Sequence, residues 1–340
     1  MQPFLYRRAD DPMALVQILA REESAAGPPT SADTQFIAGG TTILDLMKLD
    51  VMRPKALVDI NGVRGLDRIE QSENDVRLGA LARMADVAAH PLITSRYPVI
   101  AESLALAANP QLRNMATLAG NVLQRTRCTY FRDVSWAACN KRDPGSGCAA
   151  LGGFNRPHAV LGVSPSCIAT YPGDFAQALI ALDAVVETWR AGRTRAIAFA
   201  DLHRLPGDRP DIETILGSDE MILGFRVPAA EWTRRSRFVK VRDRESFEFA
   251  LASAAVALDV GPEGLVRQAR IALGGVATVP WRARDAEALL AGQPVTMETA
   301  ERAAEAAFAA AQPQKDNAFK ILLGRRTLVR ALLETSSLEI

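Results

Sequence analysis

Apolar positions along the chain alternate between two periods, and the changes of period divide it into helical and extended stretches. Asp11 and Pro12 offer an N-cap and a first-turn proline, and Leu15, Ile18 and Leu19 then fall on one helical face. Residues 35–38 read as a short strand, Gly39-Gly40-Thr41-Thr42 as a turn, and Ile43, Leu44, Leu46 and Met47 as the apolar side of a helix. Residues 55–60 (KALVDI) form a second strand, ended by Asn61-Gly62. The pattern continues with a strand over 75–81, helices over 84–93 and 99–108, and a tight backbone turn within 111–123, where Gly120 and Asn121 stand. Residues 124–166 carry no period, and Asp143-Pro144-Gly145, Gly147, Gly152-Gly153 and Pro157 mark loops throughout. A loop this long inside a compact domain is usually functional. A helix over 174–182 and strands over 184–190 and 215–227 follow, and Pro228 marks a boundary. Beyond it come a strand-like start and an Ala-rich apolar stretch over 238–259, a strand over 270–277, and helices over 284–290, 299–311 and 317–333. The sequence therefore predicts an α+β chain of three domains: 1–60, 61–228 with the irregular loop at 124–167, and 229–340.

Composition narrows the function classes. The 340 residues are 48% apolar and 23% charged, enough for ordinary cores. A net charge of +1 lacks the basic bias of a dedicated nucleic-acid binder. Charged residues interrupt every apolar run short of a membrane span, and Arg7, Arg8, Asp10 and Asp11 stand where a secretory signal would need an apolar segment. The expectation is a soluble protein with no export signal of its own. It would be periplasmic by co-export with a partner, or else cytoplasmic.

The four cysteines, Cys128, Cys139, Cys148 and Cys167, all lie in one segment with the spacing C-x10-C-x8-C-x18-C. Zinc sites usually include a close pair, C-x2–4-C, and none occurs here. Wide spacing on a loop suits an iron–sulfur cubane, whose corners need thiolates from separate directions, while zinc and free thiols remain open on spacing alone. Arg125, Arg127, Arg132, Lys141 and Arg142 stand close by in sequence, where positive charge would favour thiolates. The Gly39-Gly40 turn has the strand-to-helix setting in which backbone N–H groups approach a phosphate, although such turns also occur without any ligand. A second candidate backbone loop, 113–121, could clamp a diphosphate from the other side. No GxGxxG and no P-loop occurs, the three histidines are scattered, and no acid/base pair stands out.

Four stretches carry a resemblance: residues 36–44 (FIAGGTTIL), 112–122 (LRNMATLAGNV), 240–245 (KVRDRE), and 272–277 (ALGGVA) with Pro280-Trp281-Arg282. In this order they resemble signatures of the FAD-binding subunit of the xanthine dehydrogenase (molybdenum hydroxylase) family, over nearly the whole chain. The cysteine-bearing insert is similar to that of the flavin subunits of bacterial periplasmic aldehyde oxidoreductases, which carry a 4Fe–4S cluster. The resemblance implies a two-lobed FAD-binding domain of the vanillyl-alcohol-oxidase/PCMH type, followed by an α+β domain like the CO dehydrogenase flavoprotein C-terminal domain. It implies that Ile37, Ala38, Gly39, Gly40, Thr41, Thr42 and Ile43 cradle the pyrophosphate and adenosine end of FAD. Ala116, Thr117, Gly120, Asn121 and Leu123 would line the second side, Asp174 would meet flavin hydroxyls, and Lys240 would stand near the isoalloxazine. All four cysteines would ligate the cluster. Thr42 departs from animal relatives, which have an acidic residue there, and Gln124 stands where a hydroxyl is common.

The function so implied is electron transfer within a heterotrimer. A large subunit with molybdenum cofactor oxidises an aldehyde, and a small subunit with 2Fe–2S clusters passes electrons to this chain's FAD. An external acceptor, which need not be NAD, takes them onward. No residue of this chain need act as a nucleophile. Two rivals are a free-standing FAD-dependent oxidase of the same fold and a non-flavin iron–sulfur scaffold protein.

Overall fold

Three sheets organise the chain. In the computed structural model, which describes residues 1–11, 14, 17, 18 and 28–340, the first is parallel and three-stranded. Its central strand, Ala56–Asp59, is buried along its whole length between Leu5–Arg8 and Thr34–Ile37. The second is antiparallel, in the order Ile69–Gln71, Asp75–Gly79, Met221–Pro228, Val185–Arg190, Arg193–Ala198. The third, also antiparallel, runs Trp281–Arg282, Val266–Gly274, Ala252–Val260, Ser236–Val241.

Burial explains which stretches became which elements. Along Ala252–Val260, Ala254, Val256 and Leu258 enter the core beneath the last helices, Met297–Ala307 and Phe319–Ser336. Ala255 and Ala257 enter the other core, with Phe175, Leu179 and Phe225. A strand covered on both faces reads as a continuous apolar run, as this one does. The helix Phe175–Ala181 is buried at every residue, with Phe175 edge-on to Phe225 at 5.7 Å. Packing thus continues across Pro228.

Several elements differ from the sequence pattern for local reasons. The helix expected over 84–93 is two, Met84–Ala89 and Pro91–Arg96, because Pro91 has no N–H to offer and His90 before it is extended. The strand expected over 215–227 begins only at Met221, after a turn in which Glu220 N–H donates to Gly217 O at 3.1 Å. The stretch 238–259 is two strands, parted by the charged run 242–248. Leu5–Arg8 is an edge strand with every residue exposed, so no alternation announces it. The opening helix, with Leu15 and Leu19, falls largely outside the described residues, although Asp11 Oδ1 accepts from Ala14 N–H at 2.8 Å as an N-cap does. No helix among the described residues is long and apolar enough to cross a membrane.

Candidate functional site

The strand Thr34–Ile37 delivers the chain into Ala38-Gly39-Gly40-Thr41-Thr42, which leads to the short helix Ile43–Lys48. Gly40 has φ +73°, a left-handed conformation that favours glycine. Gly39 is required for a different reason: a Cβ there would stand 2.1 Å from the carbonyl oxygen of Met115. The two loops singled out in the sequence therefore touch at Gly39. Among the described residues, no acceptor takes the backbone N–H groups of Gly39, Gly40, Thr41 or Thr42, and Thr42 makes no side-chain cap bond. A run of unclaimed amides is what an anionic group needs.

The opposite loop is differently built. Thr117 caps the helix Leu118–Val122 by accepting from Gly120 N–H at 3.3 Å, and Thr117 O takes Asn121 N–H at 2.8 Å. Leu118 and Ala119 N–H donate to Ala82 O and Ala80 O at 3.0 Å each, so this loop supplies a shaped wall more than donors. Asn121 Oδ1 is buried without a partner.

Between these loops lies a large open cleft. Ala38, Gly39, Gly40, Thr41, Thr42, Ile43, Thr117, Gly120 and Leu123 line it. Ile37, Ala116 and Asn121 stand beside lining residues in sequence without lining it themselves. Asp174 and Lys240 do not line it either. They form a buried ion pair at 2.6 Å, and Lys240 also donates to Leu106 O at 3.1 Å. Burial pushes the Asp174 carboxyl up, against the pull of Lys240, and its Oδ1 has no partner.

The far wall was not foreseen. Tyr171 and His203 meet edge to face at 4.9 Å, and Tyr171 donates its hydroxyl proton to Val122 O at 2.9 Å. Burial holds His203 down to about 4, so it is neutral. Beside them Glu213 accepts from Arg125 at 3.0 and 3.1 Å and from Lys141 at 3.0 Å. Those two cations drive its carboxyl down to about 2 in spite of burial. These residues come from distant segments with no shared motif, so no sequence signal marks them.

A second, smaller cavity is walled by Cys128, Cys139, Cys148 and Cys167 together. Backbone pairing brings the sulfurs in: Cys139 and Cys148 form an antiparallel bridge, and Cys167 closes a turn on Ser164. Asn140 Oδ1 gathers the N–H groups of Gly145 and Gly147 at 3.0 and 2.8 Å, which shapes the intervening loop. None of the four is in a disulfide. Among the described residues no three His, Cys, Asp or Glu side chains converge closely enough to hold a single metal ion. The cysteines surround a space instead of a point.

The basic residues correct the sequence expectation. Arg127 and Arg132 pair with Asp45, Arg125 with Glu213, and Arg142 with the carbonyls of Tyr130, Phe131 and Trp136. Only Lys141 of the five lines the cysteine cavity. Burial therefore prevails over positive charge, and pushes the Cys128 thiol up to about 12 and that of Cys167 up as well. Thiolates in this cavity need a compensating cation inside it. Lys141, Cys167 and Ala169 line both the cleft and the cysteine cavity, so they are the partition between the two.

The sequence model described as the FAD binding domain in molybdopterin dehydrogenase matches residues 2–230, and that of the CO dehydrogenase flavoprotein C-terminal domain matches residues 237–335. The chain is 46% identical to the aldehyde oxidoreductase FAD-binding subunit PaoB of Escherichia coli K12 over 98% of both chains. It is 27% identical to the carbon monoxide dehydrogenase medium chain of Hydrogenophaga pseudoflava over 84% of this chain and 82% of that one. Among solved structures it resembles a carbon monoxide dehydrogenase from Hydrogenophaga pseudoflava, with a TM-score of 0.74 at 26% identity over 98% of each chain. The quinoline 2-oxidoreductase of Pseudomonas putida 86 has the same fold, with a TM-score of 0.74 at 22% identity over 98% of this chain and 97% of that one.

Proposed function

Since the chain belongs to the family of FAD-binding molybdopterin dehydrogenase subunits, we propose that it is the flavin subunit of a heterotrimeric, molybdenum-dependent aldehyde oxidoreductase and carries a 4Fe–4S cluster on its four cysteines. Membership itself makes it an oxidoreductase subunit of molybdenum hydroxylase-type complexes. The aldehyde rests on the full-length likeness to the aldehyde oxidoreductase subunit. In the complex the chain receives electrons from 2Fe–2S clusters of a partner, downstream of a molybdenum-cofactor subunit, and passes them to an external acceptor.

FAD supplies a carrier that takes electrons singly or in pairs, and a cubane one that takes them singly. This chain's residues hold and shield. The amides of Gly39, Gly40, Thr41 and Thr42 suit the diphosphate, and the Thr117 cap keeps the opposing loop in shape. Tyr171 and His203 close the far wall with rings that direct the Tyr171 hydroxyl and His203 Nε2 at Val122 O. Cys128, Cys139, Cys148 and Cys167 suit a cluster because they wall one cavity from separate segments. The observation that carries the relay reading is the shared partition of Lys141, Cys167 and Ala169, which leaves one layer of side chains between the cavities.

The test uses the complex purified with its co-eluting subunits, mixed anaerobically with benzaldehyde. The flavin absorbance is expected to bleach and to return when an artificial acceptor is added. Flavin that stays oxidised while the complex consumes the aldehyde with a dye acceptor would refute the relay.

A further inference from the structure

We infer that His158 is the positioning residue that tunes the iron–sulfur site, through an Nε2–H donated to the Cys128 sulfur. This rests on the cluster reading above and adds a role to a residue outside the ligand set. His158 is buried, with Nε2 3.1 Å from Cys128 Sγ. A ligating sulfur carries no proton, so the hydrogen on this contact belongs to the imidazole. The other ring nitrogen agrees. Nδ1 is buried without a partner, which a bare lone pair tolerates better than an unmet N–H would. Among the described residues His158 is the one side chain with a nitrogen bonded to a cysteine sulfur; the Cys167 sulfur receives a backbone N–H, from Ala169 at 3.4 Å.

The imidazole is held there by its backbone. The His158 backbone N–H donates to Asn155 O at 3.0 Å. Its carbonyl accepts from Asn317 Nδ2 at 3.3 Å and Lys320 Nζ at 3.2 Å, and the same lysine reaches Pro157 O at 3.1 Å and Gly275 O at 2.6 Å. Asn155 and Asp316 exchange backbone and side-chain bonds at 2.9 and 3.2 Å. The start of the closing helix, Phe319–Ser336, and the residues just before it thus grip the histidine's backbone from a segment remote in sequence. Lys320 Nζ is surrounded by three carbonyl oxygens, those of Pro157, His158 and Gly275, and so ties the histidine's loop to the closing helix.

An N–H directed at a ligand sulfur draws negative charge off it and favours the state with one more electron. No proton is transferred; the bond only strengthens as the sulfur becomes more negative. Its removal makes the site harder to reduce. A bond to a charged sulfur changes a one-electron equilibrium by roughly tenfold, which is about 59 mV.

The test is a potentiometric titration of the cluster's magnetic resonance signal in the purified complex, after iron and flavin have been counted in each preparation. His158→Leu is expected to keep its iron and to shift the midpoint negative by roughly that tenfold. His158→Gln, which restores an N–H donor, should recover most of the shift. An iron-replete leucine variant with an unmoved midpoint overturns the inference. So does equal loss of iron from both variants, which would make His158 a packing residue only. A wild-type chain with no iron beyond its partners' overturns the cluster reading itself, and is recognised before any variant is compared.

Discussion

Replacing Gly39 by alanine is expected to strip most of the flavin from the protein. The added Cβ would meet Met115 O at 2.1 Å, Met115 C at 2.9 Å and Ala116 Cα at 3.2 Å, all backbone atoms that no rotamer can move aside. The facing loop is also pinned. Arg83 donates to Met115 O, Met84 N–H donates to Ala116 O at 3.0 Å, and Ala116 N–H donates to Leu112 O at 2.8 Å. The two walls must therefore part, and the unclaimed amides of the first turn swing away from the position a diphosphate needs. Overpacking of this kind costs about 1–3 kcal/mol, and each 1.4 kcal/mol that falls on the holo state weakens binding about tenfold. The measurement is the flavin-to-protein ratio after gel filtration. Gly152→Ala serves as the control, because a Cβ there meets nothing within 4 Å. Full flavin in Gly39→Ala would show that the two loops do not form the grip.

The second large effect is expected at Glu213. Glu213→Ala leaves Arg125, 7% exposed at its side chain, and Lys141, 13% exposed, without their shared acceptor. Breaking one partner out of a buried ion cluster costs about 3–5 kcal/mol, because the remaining charges stay buried. Lys141 also stands in the partition, so iron retention should fall along with thermal stability. The native protein should reveal the same group through pH. The Glu213 carboxyl is held at about 2, below its ordinary 4.5, by Arg125 and Lys141. A depressed carboxyl stabilises the fold in full above its unfolded value and ceases to do so as pH falls through the folded one. About 3 kcal/mol should therefore disappear between pH 4.5 and about 2. Acid unfolding curves of wild type and Glu213→Gln check this: the variant should lack the part of the slope that falls in this window. Superimposable curves would mean that the cluster does not act as an ion triad.

What the sequence made legible was local. Gly39-Gly40 between a strand and a helix announced a turn that proves to line the cleft, where only glycine permits that approach and that φ, and the cysteines of the aperiodic stretch prove to wall one cavity. The far wall was not legible. Glu213 finds Arg125 and Lys141 across segments with no common period, and Tyr171 and His203 look like ordinary lone residues until the fold pairs them. Asp174 and Lys240, expected at the flavin, bond to each other in a buried pair and do not line the cleft. The arginines around the cysteines misled for a similar reason. Proximity along the chain says nothing about direction, and all four turn to Asp45, Glu213 or backbone carbonyls. Edge strands such as Leu5–Arg8 leave no apolar alternation to find.

The central claim is that one chain holds a flavin cleft and an iron–sulfur cavity on either side of a single wall. The most direct test is the flavin and iron content of the complex purified anaerobically, set against the iron its partner subunits account for. The expected result is one flavin and about four extra irons per copy of this chain. A folded, flavin-loaded complex whose iron is fully accounted for by the partners would contradict it.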